Sequence, residues 1–240
     1  MVGFGNFEEG LPGFFASLIV IVEFVGMAVP VEVVLGLGIA LLMLEQPRIR
    51  RIMTPIIMMP IAIPGIAAGL MWRYMFEPDI GIINGLLLAV GIVRSPIDWL
   101  GLPATALPSL VMVDIWNWTP FTALIILAGL FGLPREPFEA AEVFGASAFA
   151  KFRYLTLPML RRVILVAFIF RLFDALNFFQ VPFITTGGGP GSLTETVPVY
   201  LYILGFRQLT IGHAAAFSYM MLIITVALSY PAVKWLQKAR

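Results

Sequence analysis

The chain reads as an all-α protein, a polytopic bundle of about five transmembrane helices forming a single domain over 1–240, and three observations predict it. Of its 240 residues 60% are hydrophobic and only 12% charged, with a mean hydropathy of +0.96. So little polar surface cannot cover a soluble globule of this length, and lipid must solvate the rest. Five apolar runs reach the length needed to cross a hydrocarbon layer about 30 Å thick. The basic residues between the runs are distributed unevenly, as they are in a multi-pass membrane protein.

The first run, 11–44, is too long for one straight crossing. Either Pro30 bends it, or its start around 11–15 lies along the interface. The second, third, fourth and fifth runs cover 52–74, 104–133, 159–185 and 210–236. Arg48, Arg50, Arg51, Arg135, Lys151, Arg153, Arg161, Arg162, Lys234, Lys238 and Arg240 fall on one side, against Arg73, Arg94 and Arg207 on the other. Eleven against three sets the first group in the cytoplasm, with the N-terminus and the loops 75–103 and 186–209 outside. No basic n-region or small-residue cleavage site opens the chain, so no cleavable signal peptide is expected.

Several chemistries are disfavoured. A formal net charge of +1 gives no electrostatic footprint for nucleic acid. Without Cys there are no disulfides, thiolate metal sites or thiol nucleophiles, and His213 alone cannot build a metal site. No Ser-His-Asp order at membrane depth supports an intramembrane hydrolase, so neither catalytic nor metal residues are expected. The glycines at 187–191 have no following Lys-Ser or Lys-Thr and lie outside, which rules out a Walker A loop.

Polar groups at membrane depth are costly and therefore functional candidates. The densest set, Asp114, Trp116, Asn117, Trp118 and Thr119, precedes Pro120, which frees backbone carbonyls nearby. Asp174 and Asn177 share a face of the fourth span, and Arg171 is placed to pair with Asp174 three residues on. Such groups either line a polar site or serve as helix-to-helix hydrogen bonds. Glu23, mid-way along the first run, reads as a protonated carboxyl facing a partner subunit.

The twenty residues at 139–158, EAAEVFGASAFAKFRYLTLP, form a hydrophilic island between two membrane-length runs. Pro134 and Pro137 bracket a helix start, Glu136, Glu139 and Glu142 favour the positive end of its dipole, and Gly145 can take the positive φ that ends it. Ala140 and Ala141 keep its surface low enough for another protein to approach closely.

This island resembles the coupling segment of ABC importer permeases, the binding-protein-dependent transport system inner membrane components. The family pattern of EAA, three residues, Gly, nine residues, Ile, one residue and Leu-Pro falls on Glu139, Ala140, Ala141, Gly145, Leu155, Leu157 and Pro158 with every spacing kept. Leu155 stands for the Ile, and Phe144 stands where Asp is common. The runs VLGLGIALLM at 34–43, WRYMFEPDIGIIN at 72–84 and TGGGP at 186–190 are similar to carbohydrate-uptake permeases of the maltose and glycerol-phosphate type.

The resemblance implies an ABC type I importer permease fold lacking the family's usual first helix, with 134–158 as the cytoplasmic coupling segment. It carries substrate contact onto Asp114, Asn117, Trp118, Phe121, Asp174, Ala175 and Phe178, with Asn177 beside them. It implies no cofactor on this chain and no enzymatic activity, with ATP and Mg on a partner ATPase dimer. The other implied partners are a second homologous permease, an extracytoplasmic solute-binding protein, a carbohydrate or polyol, and the lipid of a bacterial or archaeal cytoplasmic membrane. The 187–191 turn then either contacts the solute-binding protein or is a plain reverse turn. The alternative classes are a proton-coupled secondary transporter relaying through Glu23, Asp114 and Asp174, and a non-transporting scaffold.

Overall fold

A computed structural model describes residues 10–45 and 47–238, and among these every regular element is helical. Arg240 and residues 1–9, on which the orientation count and the placement of the N-terminus bear, lie outside the described residues. The elements are α1 (Leu11–Glu45), α2 (Pro47–Ala62), α3 (Gly65–Met75), α4 (Ile82–Ala89), α5 (Pro103–Phe131), α6 (Glu136–Val143), α7 (Ala148–Lys151), α8 (Leu157–Leu176), α9 (Gln180–Thr185), α10 (Val197–Tyr202) and α11 (Ile211–Lys238). A π-helical turn, Phe152–Thr156, joins α7 to α8, and a second, Ile203–Arg207, extends α10.

Among the described residues four helices are long and apolar enough to cross a membrane, or five if α2 and α3 count as one broken span. α1 is continuous through Pro30. Its 35 residues make ~52 Å of helix at 1.5 Å per residue, so its ends project beyond a ~30 Å hydrocarbon layer. Its buried side recurs at three- and four-residue steps through Ile21, Phe24, Ala28, Glu32, Gly36 and Ala40, the spacing of one helical face. That face packs most extensively on α5, the most buried of the long helices.

Two expected spans are not single helices. The run 52–74 bends by 93° between Ala62 and Gly65. The run 159–185 divides into α8 and α9 at 177–179. Three apolar clusters hold the bundle. One around Phe24, Trp72, Leu110 and Phe178 joins α1, α3 and α5 to the α8–α9 break. A second packs Phe14, Leu176, Val197 and Phe217, and a third packs Met43, Ile126, Leu130 and Leu160 near the coupling segment.

The connections are ordered by hydrogen bonds as well as by packing. Asn84, 2% exposed, donates to the carbonyls of Pro78 and Ile97 and accepts from the Ile97 amide and the Trp99 indole at 2.9–3.2 Å. Thr194 donates to the Gly189 carbonyl at 2.6 Å and lies 2.7 Å from the Thr186 hydroxyl. Burial holds the Glu195 carboxyl above its usual range, while the Ser17 hydroxyl, donating to it at 3.4 Å, works the other way.

The α1–α5 contact requires Gly36, because a Cβ there would lie 2.8 Å from Thr122 Cγ2 and 3.0 Å from the Ala123 backbone nitrogen. Gly38, two residues on, meets no heavy atom within 4 Å. Gly36→Leu is therefore expected to destabilise the purified subunit by about 1–3 kcal/mol through overpacking, and Gly38→Leu to leave it nearly unchanged. Thermal unfolding in detergent reads the difference, and equal melting temperatures for the two variants would contradict this packing.

Candidate functional site

Both helix breaks open onto one cavity. Pro64 has no N–H, so the Pro60 carbonyl loses the donor that a helix would supply four residues on. The Ile63 amide reaches back to it at 3.1 Å, and the Asn117 amide nitrogen, from α5, donates to it at 2.6 Å. At the other break Asn177 ends α8 and donates through its side chain to the Phe173 carbonyl at 2.8 Å, while buried Thr196 donates to the Phe178 carbonyl at 2.7 Å. Side chains from other elements thus satisfy carbonyls at both breaks. Between the breaks lies a cavity of about 360 Å³, lined by Gly65 and Gln180 together with Asp114, Asn117, Trp118 and Asp174. Its size is in the range of small-molecule sites, ~300–1,000 Å³.

Behind this wall sits a buried ionic cluster. The Arg171 guanidinium, fully sealed, donates through Nε and Nη2 to both oxygens of Glu32 at 2.5 and 3.1 Å. Its Nη2 also donates to Asp114 at 2.7 Å, and its Nη1 to Asp174 at 2.6 Å. The Trp118 ring lies over the guanidinium carbon at 4.6 Å and meets Phe121 edge-on at 5.7 Å. Glu32 and Arg171 are 0% exposed, whereas the Asp174 side chain is 46% exposed and opens to the cavity.

Of the residues expected to meet solute, Asp114, Asn117, Trp118, Asp174, Asn177 and Phe178 line this cavity. Phe121 stands behind Trp118, between it and Phe170. Ala175 is buried in the first apolar cluster, and Phe178 stacks on Phe24 at 4.0 Å. Glu23 is exposed on α1, while Glu32, nine residues on, is the buried acid. The signal for Glu32 was its place on the four-residue stripe of small residues at Ala28, Gly36 and Ala40, which Glu23 lies off.

The second candidate site is the segment 134–158. α6 carries Glu136 and Glu139 in its first turn and buries none of its side chains. It ends in a Schellman motif: Gly145, at φ +74°, donates to Glu142 at 2.9 Å, and Ala146 donates to Ala141 at 2.9 Å. Lys151 ties back to Glu142 at 2.7 Å, and the Ser147 hydroxyl caps α7 by accepting from the Ala150 amide at 3.2 Å. Val143, Phe144 and Phe149 are 86, 88 and 73% exposed. Glu139 and Ala140 are exposed, Ala141, Leu155 and Leu157 are half-buried, and Pro158 is exposed. A cleft of about 990 Å³ separates α6 from the ends of α1 and α5, lined by Leu44, Arg50, Phe131, Phe138 and Glu139.

Residues 32–239 match the family described as binding-protein-dependent transport system inner membrane component. The chain belongs to that family. The permease is 36% identical, over 95% of its length and 78% of the relative's, to a trehalose/maltose transport system permease protein of Thermococcus litoralis. It is 33% identical to a lactose transport system permease protein of Rhizobium radiobacter, over 91 and 74% of the two chains. Its fold superposes with a TM-score of 0.89 on a chain of a bacterial ABC transporter that imports the acidic polysaccharide alginate, at 19% identity and covering 99% of the permease and 84% of that chain. The fold is that of ABC type I importer permeases, an all-helical, multi-pass inner-membrane architecture.

Arg171 Nε, fully buried, bonds Glu32 alone, so removing that carboxylate strands a charged donor even though Asp114 and Asp174 still balance its charge. An unsatisfied buried donor costs about 1–3 kcal/mol, more on a charged group. Glu32→Ala is accordingly expected to lower the yield and melting temperature of the purified permease sharply, with Glu32→Gln, which keeps an acceptor for Arg171, much milder. Thermal unfolding followed by tryptophan fluorescence checks this; an unchanged Glu32→Ala protein would mean that the cluster holds nothing together.

Proposed function

We propose that this permease forms half of the translocation pathway of an ATP-driven, binding-protein-dependent importer for a sugar, sugar derivative or polyol. The observation that carries the reading is the cavity at the two helix breaks, where an exposed carboxylate, amides and the Trp118 ring converge at the depth of the membrane. Broken helices around a midplane site are how transporters expose polar groups without facing lipid. Trp118 offers a ring face and Asp174 an acceptor, the pair that a sugar's C–H face and hydroxyls require. The names of the trehalose/maltose and lactose relatives support the same substrate class.

Energy enters through α6. A helix that buries no side chain, and ends in exposed Val143 and Phe144, is a surface awaiting another protein. The partner assigned to it is a cytoplasmic ATPase dimer carrying ATP and Mg, with a second homologous permease completing the pathway and a solute-binding protein on the outer side. Alternating access follows: nucleotide-driven closure moves α6, and the cavity changes the side to which it opens. The basic-residue count and the membership of an inner-membrane family both support a cytoplasmic α6. A proton relay finds little support, since Asp114 and Glu32 are tied to Arg171 and Glu23 is separate from them.

Gly145→Asp forces a side chain into positive φ, and Phe144→Ser removes the apolar tip. Each is expected to leave the subunit inserted and paired but to cut ATP-dependent uptake at least tenfold, with the ATPase lost on co-purification. Parent levels of both in the two variants would remove α6 from coupling.

In proteoliposomes holding the full complex, with ATP on the α6 side and no proton gradient, uptake is expected to proceed, and Glu23→Gln to retain more than half of it. A requirement for an imposed gradient, abolished in Glu23→Gln, would overturn the ATP-driven reading in favour of a proton-coupled one.

A further inference from the structure

The charged side chains lining the cavity are of one sign. Asp114 and Asp174 line it, and among the described residues no Lys, Arg or His does. The nearest cation, Arg171, is 0% exposed and covered by the Trp118 ring at 4.6 Å. Its charge is met from behind by both oxygens of Glu32 and by Asp114 before Asp174 is reached. Three carboxyl groups converge on one guanidinium, so with all three ionised the cluster carries an excess of two negative charges, and with one protonated, an excess of one. In neither state does it present positive charge to the cavity. The amides carry no charge to offset this: Asn117 and Asn177 each donate one side-chain hydrogen to a backbone carbonyl and keep an oxygen and a second N–H.

We propose that this half of the pathway selects by charge, taking neutral or amine-bearing sugars and rejecting uronic-acid and sulfonated sugars, with Arg171 and Glu32 as the positioning residues that hold Asp174 at the wall. The proposal rests on the sugar reading above and deepens it. Arg171 fixes the carboxylate whose free oxygen meets solute, and Glu32 pins Arg171 so that the guanidinium cannot turn outward and offer itself to an anion. The low-dielectric surroundings strengthen the repulsion of a second anion relative to the same pair in water. The fold alone does not impose this selectivity, since a chain superposing at a TM-score of 0.89 belongs to an importer of an acidic polysaccharide. The selectivity belongs to side chains.

The test is equilibrium binding to the full complex of permeases and ATPase in nanodiscs, without binding protein, so that the binding protein's own selectivity does not intervene. The probes are labelled maltose, the disaccharide of glucosamine and digalacturonate. Maltose and the glucosamine disaccharide are expected to bind, and digalacturonate at least tenfold more weakly than maltose. Raising salt should weaken the glucosamine disaccharide more than maltose. Asp174→Asn, which keeps an acceptor for Arg171, should lower the maltose-to-digalacturonate affinity ratio at least fivefold. Glu32→Gln, which alters no residue lining the cavity, should lower the ratio in the same direction. Digalacturonate bound as tightly as maltose by the parent, or a ratio unmoved in both variants, overturns selection by charge and leaves the sugar reading standing. Failure of all three sugars to bind overturns the sugar reading and this proposal with it.

Discussion

One guanidinium organises this permease. Arg171 on α8 bonds Glu32 on α1 and Asp114 on α5, so the three long helices that meet there are fixed against one another at a single point. Apolar packing cannot do this alone, because lipid tails are as apolar as Leu and one register of a smooth helix face resembles the next. An ion cluster has no such tolerance: a shift of one turn moves Glu32 or Asp114 ~5 Å away and strands a charge in a dry interior. The wall of the cavity inherits that precision. Asp174 and Trp118 are held by the same guanidinium, one by a hydrogen bond and the other across its face.

The two breaks show the complementary constraint. Backbone that leaves the helical pattern at membrane depth must find other partners or line a polar space, and both solutions are used together. Asn117 takes the Pro60 carbonyl, Thr196 takes the Phe178 carbonyl, and the remaining polar groups face the cavity. Asn117 therefore has two duties that are hard to separate by mutation, bracing the α2–α3 elbow and lining the site.

Legibility followed the range of the interaction. The Gly145 helix end is local chemistry within a few residues, and it stands in the structure as a Schellman motif even though Phe144 replaces the common Asp. The number of spans follows from hydropathy and is met by the bundle. The elbows are not so visible: Pro55, Pro60 and Pro64 sit in a run whose hydropathy is unbroken, so a window of that width reads one crossing where the chain turns by 93°. Glu23 and Glu32 are equally costly in an apolar run, and only their phase on the helix face separates the exposed acid from the buried one. Arg171 looked like a partner for Asp174 alone, because the contacts to Glu32 and Asp114 join residues 139 and 57 positions apart. Ala175 and Phe121 were carried in by resemblance, and neighbouring side chains hold both away from the cavity lining.

α8 joins the two candidate sites mechanically. It starts at Leu157, directly after the π-helical turn near the end of the coupling segment, and it carries Arg171 and Asp174 in its last two turns. From Leu157 to Asp174 is ~26 Å at 1.5 Å per residue, too stiff a rod to absorb a displacement along its length. A movement applied at α6 must therefore be taken up at the ends: by the π-helical turn on one side, and on the other by the break at 177–179, which forms part of the cavity wall. Because Arg171 ties the rod to α1 and α5 just before that break, sliding α8 on its own would break the ion cluster. The motion that preserves it is a tilt of α8 with its two partners as one body, with the α2–α3 elbow and α9 closing or opening against them. On the proposed reading, the ionic cluster is the reason that the pathway moves in blocks.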